Sequence, residues 1–254
     1  MRNDADREPQ IQDSTPTFVF LPGLGADHRL FKYQTAAFPN SYAADWIDSL
    51  PNESLEQYAV RFAEAIRTEL NQRPPAPIVV CGLSLGGMIA PYVAHELGAV
   101  GYVLLCSIRR PQEFPRLGYL DWYFMRHCPP LRLVRVFVIQ HIVKVFLFFG
   151  LLRWFIPLEE IKVLKQMTKM PARRFAGLAR MMFDWAYRRR EETESSLFSG
   201  PTLHIHGTRD PLLPIRLTNP DIRIEGGGHT LSTTHAEQIN EMLGQFVEQL
   251  TKSD

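Results

Sequence analysis

Six short runs rich in β-branched and aromatic residues recur along this chain, each bounded by turn residues: TFVFL (17–21), YAADWI (42–47), PIVVCG (77–82), VGYVLLC (100–106), TLHIHG (202–207) and DIRIEGGG (221–228). Runs of that length and composition read as buried strands. Patterns with helical spacing separate most of them. Between the second and third, Ser54 and Gln57 form a capping-box signature ahead of Leu55, Tyr58, Ala59, Phe62, Ile66 and Leu70, which share one helical face. The prolines of RPPAP then forbid continuation. A last helix is expected over about 232–250, with Ile239, Leu243, Phe246, Val247 and Leu250 on its inner face. Strand alternating with helix demands crossover connections, hence an α/β fold with a mostly parallel sheet covered on both faces.

The alternation fails between 109 and 196, where no strand-like unit is bounded by turns. That stretch holds 17 of the chain's 28 Lys and Arg but 8 of its 27 Asp and Glu, so a chain of net charge +1 divides into an acidic core and a basic insert. At 254 residues the expectation is one large core plus this insertion. A near-neutral balance with 22% charged residues points to neither a nucleic-acid partner nor a disordered chain. Cys81, Cys106 and Cys128 are too few and too scattered for a disulfide framework or a zinc site, which suits a reducing cytoplasm. Residues 1–16 are polar and charged, unlike a signal peptide, and read as a disordered tail.

The third strand ends in Gly82-Leu83-Ser84-Leu85-Gly86 and passes straight into the helical stretch SLGGMIAPYVAHEL. The bare G-x-S-x-G pattern is weak, but its setting is specific. A serine on a sharp strand-to-helix turn projects its hydroxyl clear of the sheet, and glycines two residues away remove side chains that would collide there. In this setting the chain resembles an α/β-hydrolase. The resemblance implies a three-layer fold with about six strands, a core of residues 17–108 and 197–254, and a helical cap over 109–196. It covers nearly the whole core.

The resemblance places further residues. FVFLPGLGAD (18–27) is similar to the family's loop after the first central strand, usually His-Gly-x-x, with Pro22 in place of the histidine. What that loop supplies is a backbone N–H aimed at a developing oxyanion, here from Leu24, with Leu85 N–H as the second donor. Gly23 and His28 beside it are candidate substrate contacts. Asp210 follows the fifth strand and His229 the sixth, giving the family's chain order of nucleophile, acid and base with Ser84. A serine hydroxyl needs a neutral imidazole to take its proton, and that imidazole needs a carboxylate behind it. Asp221 is a fallback acid but opens its strand at the wrong end. His204 and His206 are expected in packing or behind the site, and His95 and His235 at the surface. Two departures stand out: the family's N-terminal antiparallel hairpin is absent, and the stretch from Asp210 to Asp221 is too short for a full helix.

In the insert, residues 131–156 are the most apolar, yet Arg132, Arg135, Gln140, His141, Lys144 and Arg153 interrupt any transmembrane reading. Two cap helices broken near Gly150 and lining an acyl pocket are expected; an interfacial lid, apolar below and basic above, is the alternative. A basic rim beside an apolar slot suits a small acyl ester or thioester with an anionic handle, an anionic acyl carrier or a lipid surface. The expected activity is a serine hydrolase cleaving a carboxylic ester or thioester, without metal or organic cofactor. A lyase or carbon–carbon bond hydrolase on the same triad, or a ligand-binding receptor without turnover, are the rival readings.

Overall fold

A computed structural model of the protein describes residues 15–116, 165, 169–188 and 197–252. The strands are β1 (Thr17–Leu21), β2 (Ser41–Ala43), β3 (Ile78–Leu83), β4 (Gly101–Leu105), β5 (Thr202–Gly207) and β6 (Ile222–Ile224). They form one six-stranded sheet in the order β2-β1-β3-β4-β5-β6, and every pairing in it is parallel. Alternate residues of each central strand feed two separate cores, as the twofold pleat requires. Val19, Leu21, Val80, Tyr102 and Leu104 join a cluster on one face. Phe18, Phe20, Val79, Cys81, Val103 and Leu105 join a second on the other.

Helices cover both faces and complete the three layers. The first core contains α2 (Leu55–Leu70), through Tyr58, Phe62 and Ile66, and α3 (Leu85–Leu97), through Met88, Ile89 and Val93. It also contains Leu178, Met181 and Trp185 of α4 (Ala172–Arg188), the described helix of the insert. Three further bonds dock α4: Arg174 Nε donates to Asp48 Oδ1 at 2.6 Å, Arg180 Nη2 to Glu53 O at 2.7 Å, and Trp185 Nε1 to Tyr92 Oη at 3.2 Å. The second core is closed by Ile239, Leu243 and Phe246 of α6 (Ala236–Lys252), following the short helices α1 (Lys32–Ala37) and α5 (Leu231–Thr234). Both halves of the capping box at Ser54 and Gln57 are made, at 3.2 and 3.0 Å.

Three elements differ from the sequence expectation. The run 42–47 forms only the three-residue β2: its sole partner β1 ends at Leu21, the last ladder bond is Ala44 N–H to Phe20 O, and Trp46 leaves the sheet to stack on Phe62. β6 is short because β5 stops at Gly207 and the chain turns at Gly226, where φ is 73°. The last helix is split at His235, where Thr234 Oγ1 bonds Thr230 O and the imidazole and His235 leaves helical geometry. His235 is consequently half-buried rather than exposed, whereas His95 is exposed. Of the tail expected over 1–16, residues 1–14 lie outside the described residues, as do the apolar run 131–156 and Cys128, whereas Pro16 is buried and Thr15 O accepts from Asn40 Nδ2 at 3.1 Å, so the ordered chain starts earlier than expected. Among the described residues no helix is long and apolar enough to cross a membrane.

Chain order runs from β1 outward to β2, then back across β1 to β3, so the connections diverge between β1 and β3. Open α/β sheets offer a crevice at such a point, at the carboxyl ends of the strands. Ser84 follows β3 there and Gly23 follows β1.

Candidate active site

Ser84 sits at the junction of β3 and α3 with φ 55° and ψ −117°, a conformation that costs an L-residue about 1–3 kcal/mol. Its backbone is held in place from both sides. Ser84 N–H donates to Leu105 O of β4 at 3.0 Å, and Ser84 O accepts from Met88 N–H at 3.1 Å and from Ser107 Oγ at 2.7 Å. The flanking glycines are steric requirements: a Cβ on Gly82 would lie 2.5 Å from Gly87 N, and one on Gly86 would lie 2.6 Å from Pro22 O. Ser84 itself remains half-buried. Leu85 N–H opens α3 and, as a first-turn donor, has no intrahelical acceptor.

The loop after β1 packs directly on this turn. A Cβ on Gly23 would stand 3.4 Å from Ser84 Cβ, and Trp46 Nε1 donates to Gly23 O at 3.1 Å. Trp46 therefore braces the loop that carries Pro22 and Gly23. Leu24 is half-buried against the first core.

Asp210 and His229 meet beyond β5 and β6. His229 Nδ1 lies 2.7 Å from Asp210 Oδ2, and the carboxylate is wholly buried. Oδ1 accepts from Leu212 N–H and Leu213 N–H, both at 2.9 Å. His206 Nε2 lies 3.3 Å from Oδ2. Burial alone would raise this carboxyl's pKa, but the hydrogen bonds from His206 and His229, the imidazole charge and Leu213 N–H together hold it well below the ordinary value of 3.8. Asp210 is therefore ionised and accepts only, so His229 carries its proton on Nδ1 and a neutral ring presents a bare Nε2. The glycine turn before His229 makes the approach: Arg209 N–H bonds Gly227 O at 2.9 Å, pressing that turn onto the end of β5. Cys106 Sγ bonds Gly228 O at 3.3 Å while its neighbours Leu105 and Ser107 hold Ser84. The end of β4 is thus the shared anchor of both halves of the site.

Comparison with known proteins agrees with this fold. A profile described as the alpha/beta hydrolase family matches residues 18–242. The chain belongs to the alpha/beta hydrolase family. Its fold is shared by a thermophilic esterase from Thermogutta terrifontis, with TM-score 0.64, 16% identity and coverage of 93% of this chain and 91% of that one. The epoxide hydrolase CorEH matches with TM-score 0.64 and 16% identity over 93% of each chain. MenH from S. aureus matches with TM-score 0.59 and 17% identity over 93% of this chain and 94% of that one. Among the curated proteins there is no match.

In this alpha/beta hydrolase the other histidines and acids resolve by geometry. Asp221 is taken up at the start of β6, where it pairs with Arg109 at 2.5 Å and accepts from His204 N–H at 2.7 Å. His28 stands beside the loop as expected, its Nδ1 bonded to Asp45 at 2.8 Å, on the wall of a cavity of about 370 Å³. Asp27, His28 and Asp45 are the one group of ligand-type atoms close enough to share an ion among the described residues. All three already have partners: Asp27 pairs with Arg29, and Asp45 with His28. Sequence reasoning missed Trp46, Cys106 and Ser107. For Cys106 and Ser107 the one signal was position at the end of a strand-like run, and Trp46 carried none.

Proposed function

We propose that the protein is a serine hydrolase cleaving a carboxylic ester or thioester through an acyl-enzyme. The observation that carries this reading is the 2.7 Å bond from His229 Nδ1 to a wholly buried, ionised Asp210, at the same carboxyl end of the parallel sheet as a serine held at positive φ. His229 Nε2 accepts the Ser84 hydroxyl proton as Oγ bonds to the acyl carbon, and the carbonyl electrons move onto oxygen. Leu24 and Leu85 N–H groups stabilise that oxyanion, each such donor being worth about 10²–10³ in rate. The carbonyl re-forms, and the alkoxide or thiolate leaves with the proton from His229. Water then repeats the sequence: it gives a proton to His229, attacks the acyl carbon, and Ser84 leaves and recovers its proton. Asp210 stays ionised throughout, fixing the tautomer and balancing the transient imidazolium.

The substrate is an acyl compound with an anionic handle, taken up beside the loop that carries Gly23 and His28. What supports this assignment is the cavity lined by His28, Trp46 and Lys169, in which Arg29 and Arg174 are engaged by Asp27 and Asp48. An anionic acyl carrier or lipid surface would meet the basic insert.

Ser84→Ala tests the reading. It is expected to abolish labelling by a fluorophosphonate and to lower kcat for a short aryl ester by about 10⁴-fold or more. Undiminished labelling or turnover in that variant would overturn it.

A further inference from the structure

Behind Asp210 lies a pair of imidazoles that the proposed chemistry does not use. His206 and His204 are alternate residues of β5, both fully buried. His206 Nε2 is 2.7 Å from Leu213 O, which can only accept, so this nitrogen carries a proton. The same N–H stands 3.3 Å from Asp210 Oδ2, the oxygen that His229 binds. On the opposite edge, His206 Nδ1 is 3.2 Å from His204 Nε2. Burial, followed by the neighbouring His206 and Arg109, pushes the His204 pKa down to about 3, so His204 is neutral. One neutral assignment then satisfies both rings: His204 Nε2–H donates to His206 Nδ1, and His206 Nε2–H points at Leu213 O and Asp210. It leaves His204 Nδ1 bare, and that atom has no hydrogen-bond partner.

These bonds close a ring around the carboxylate. Leu213 donates its N–H to Asp210 Oδ1 and accepts from His206, which also faces Asp210 Oδ2. Strand β5 thereby grips the loop 210–213 from below. We propose that His206 is a positioning residue for the Asp210–His229 pair: it fixes the loop that carries the carboxylate and shares Oδ2 with the imidazole of His229. This rests on the reading of Asp210 and His229 as acid and base of a serine hydrolase.

Sharing Oδ2 weakens the hold of Asp210 on an imidazolium. Without His206 the protonated form of the pair is favoured, and the acid limb of kcat/KM moves to higher pH. The titratable and charged groups around His206 are Asp210, His229 and His204, with Cys106 packed beside Asp210 and Arg109 paired to Asp221 behind His204.

The test compares full-length wild type, His206→Leu, His206→Gln and His206→Asn. Readouts are kcat and KM for a short aryl ester across pH, the low-field proton resonance of the His229–Asp210 bond, and the thermal midpoint. A glutamine amide reaches the place of imidazole Nε2, and an asparagine amide only that of Nδ1. The expected result is a roughly 10- to 100-fold loss of kcat in His206→Leu and His206→Asn with KM within about twofold, a displaced acid limb and a shifted resonance, all largely restored in His206→Gln. Wild-type kcat, acid limb and resonance in His206→Leu would overturn the proposal, as would activity following only the thermal midpoint across the series. If His206→Leu does not fold, the glutamine–asparagine contrast decides. If the wild type turns over no ester, the hydrolase reading fails by itself, and the resonance still decides whether His206 positions the pair.

Discussion

Gly86→Ala asks whether the turn holding Ser84 is set by close backbone packing or merely tolerates it. A Cβ at this position would stand 2.6 Å from Pro22 O and closer still to Leu21 O. Ordinary carbon–oxygen contact begins near 3.4 Å, so β1 and the nucleophile turn must separate by roughly 1 Å. Neither side yields easily: Leu21 is paired with Gly82 in the sheet, and Gly23 is bonded to Trp46. Overpacking of this kind costs about 1–3 kcal/mol, which for a domain of this size lowers Tm by about 2–12 °C. The functional effect is expected to be larger than the loss of stability. The separation falls between Ser84 and the loop proposed to hold the oxyanion, and a misplacement near 1 Å costs about 10²-fold in rate. Gly244→Ala is the control, because a Cβ there meets nothing within 4 Å and α6 is an ordinary helix. It should stabilise by about 0.5–1 kcal/mol with unchanged kinetics. Thermal unfolding by circular dichroism and the second-order rate of fluorophosphonate labelling measure the two effects. A Gly86→Ala protein that keeps both its midpoint and its labelling rate would refute the steric argument.

Two further perturbations probe other features. His204 is held neutral down to about pH 3 by burial, whereas in the unfolded chain it protonates near its ordinary value of 6.5. Between those values the unfolded state binds the extra proton, so stability falls as pH drops through that window, by up to about 1.4 kcal/mol per pH unit. His204→Gln keeps a donor toward His206 and should flatten this slope in urea unfolding series run from pH 7 to pH 4; an unchanged slope would show that His204 is not the group responsible. Ser54→Ala removes the N-cap side chain of α2, and about 1 kcal/mol of stability should go with it, read as a lower urea midpoint at constant m-value.

The order of elements and the place of Ser84 on a strand-to-helix turn were legible in the sequence, because both follow from local pattern, whereas Asp210 and His229 were candidates placed by the family resemblance. Strand–helix alternation dictates parallel pairing, and a pleat of period two divides Phe18 and Phe20 from Val19 and Leu21. A capping box is a contact between residues three apart, so it too can be read along the chain. The sequence could also place a histidine and an aspartate after consecutive strands in the right order, though not the distance between their side chains.

Only the tertiary structure decided what surrounds those residues. Trp46 bracing Gly23, Ser107 holding Ser84 O, and Cys106 tied to Gly228 join residues 23, 23 and 122 positions apart, and no local pattern encodes such contacts. The end of β2 was set by its partner strand stopping, and that of β6 by β5 stopping together with the turn at Gly226. The same holds for the roles of Asp221 and His206. Each is an ordinary polar residue in or beside a strand until the sheet order puts Arg109 next to one and Asp210 next to the other. Local chemistry therefore determined which residues could act, and non-local packing determined which of them are held where they can.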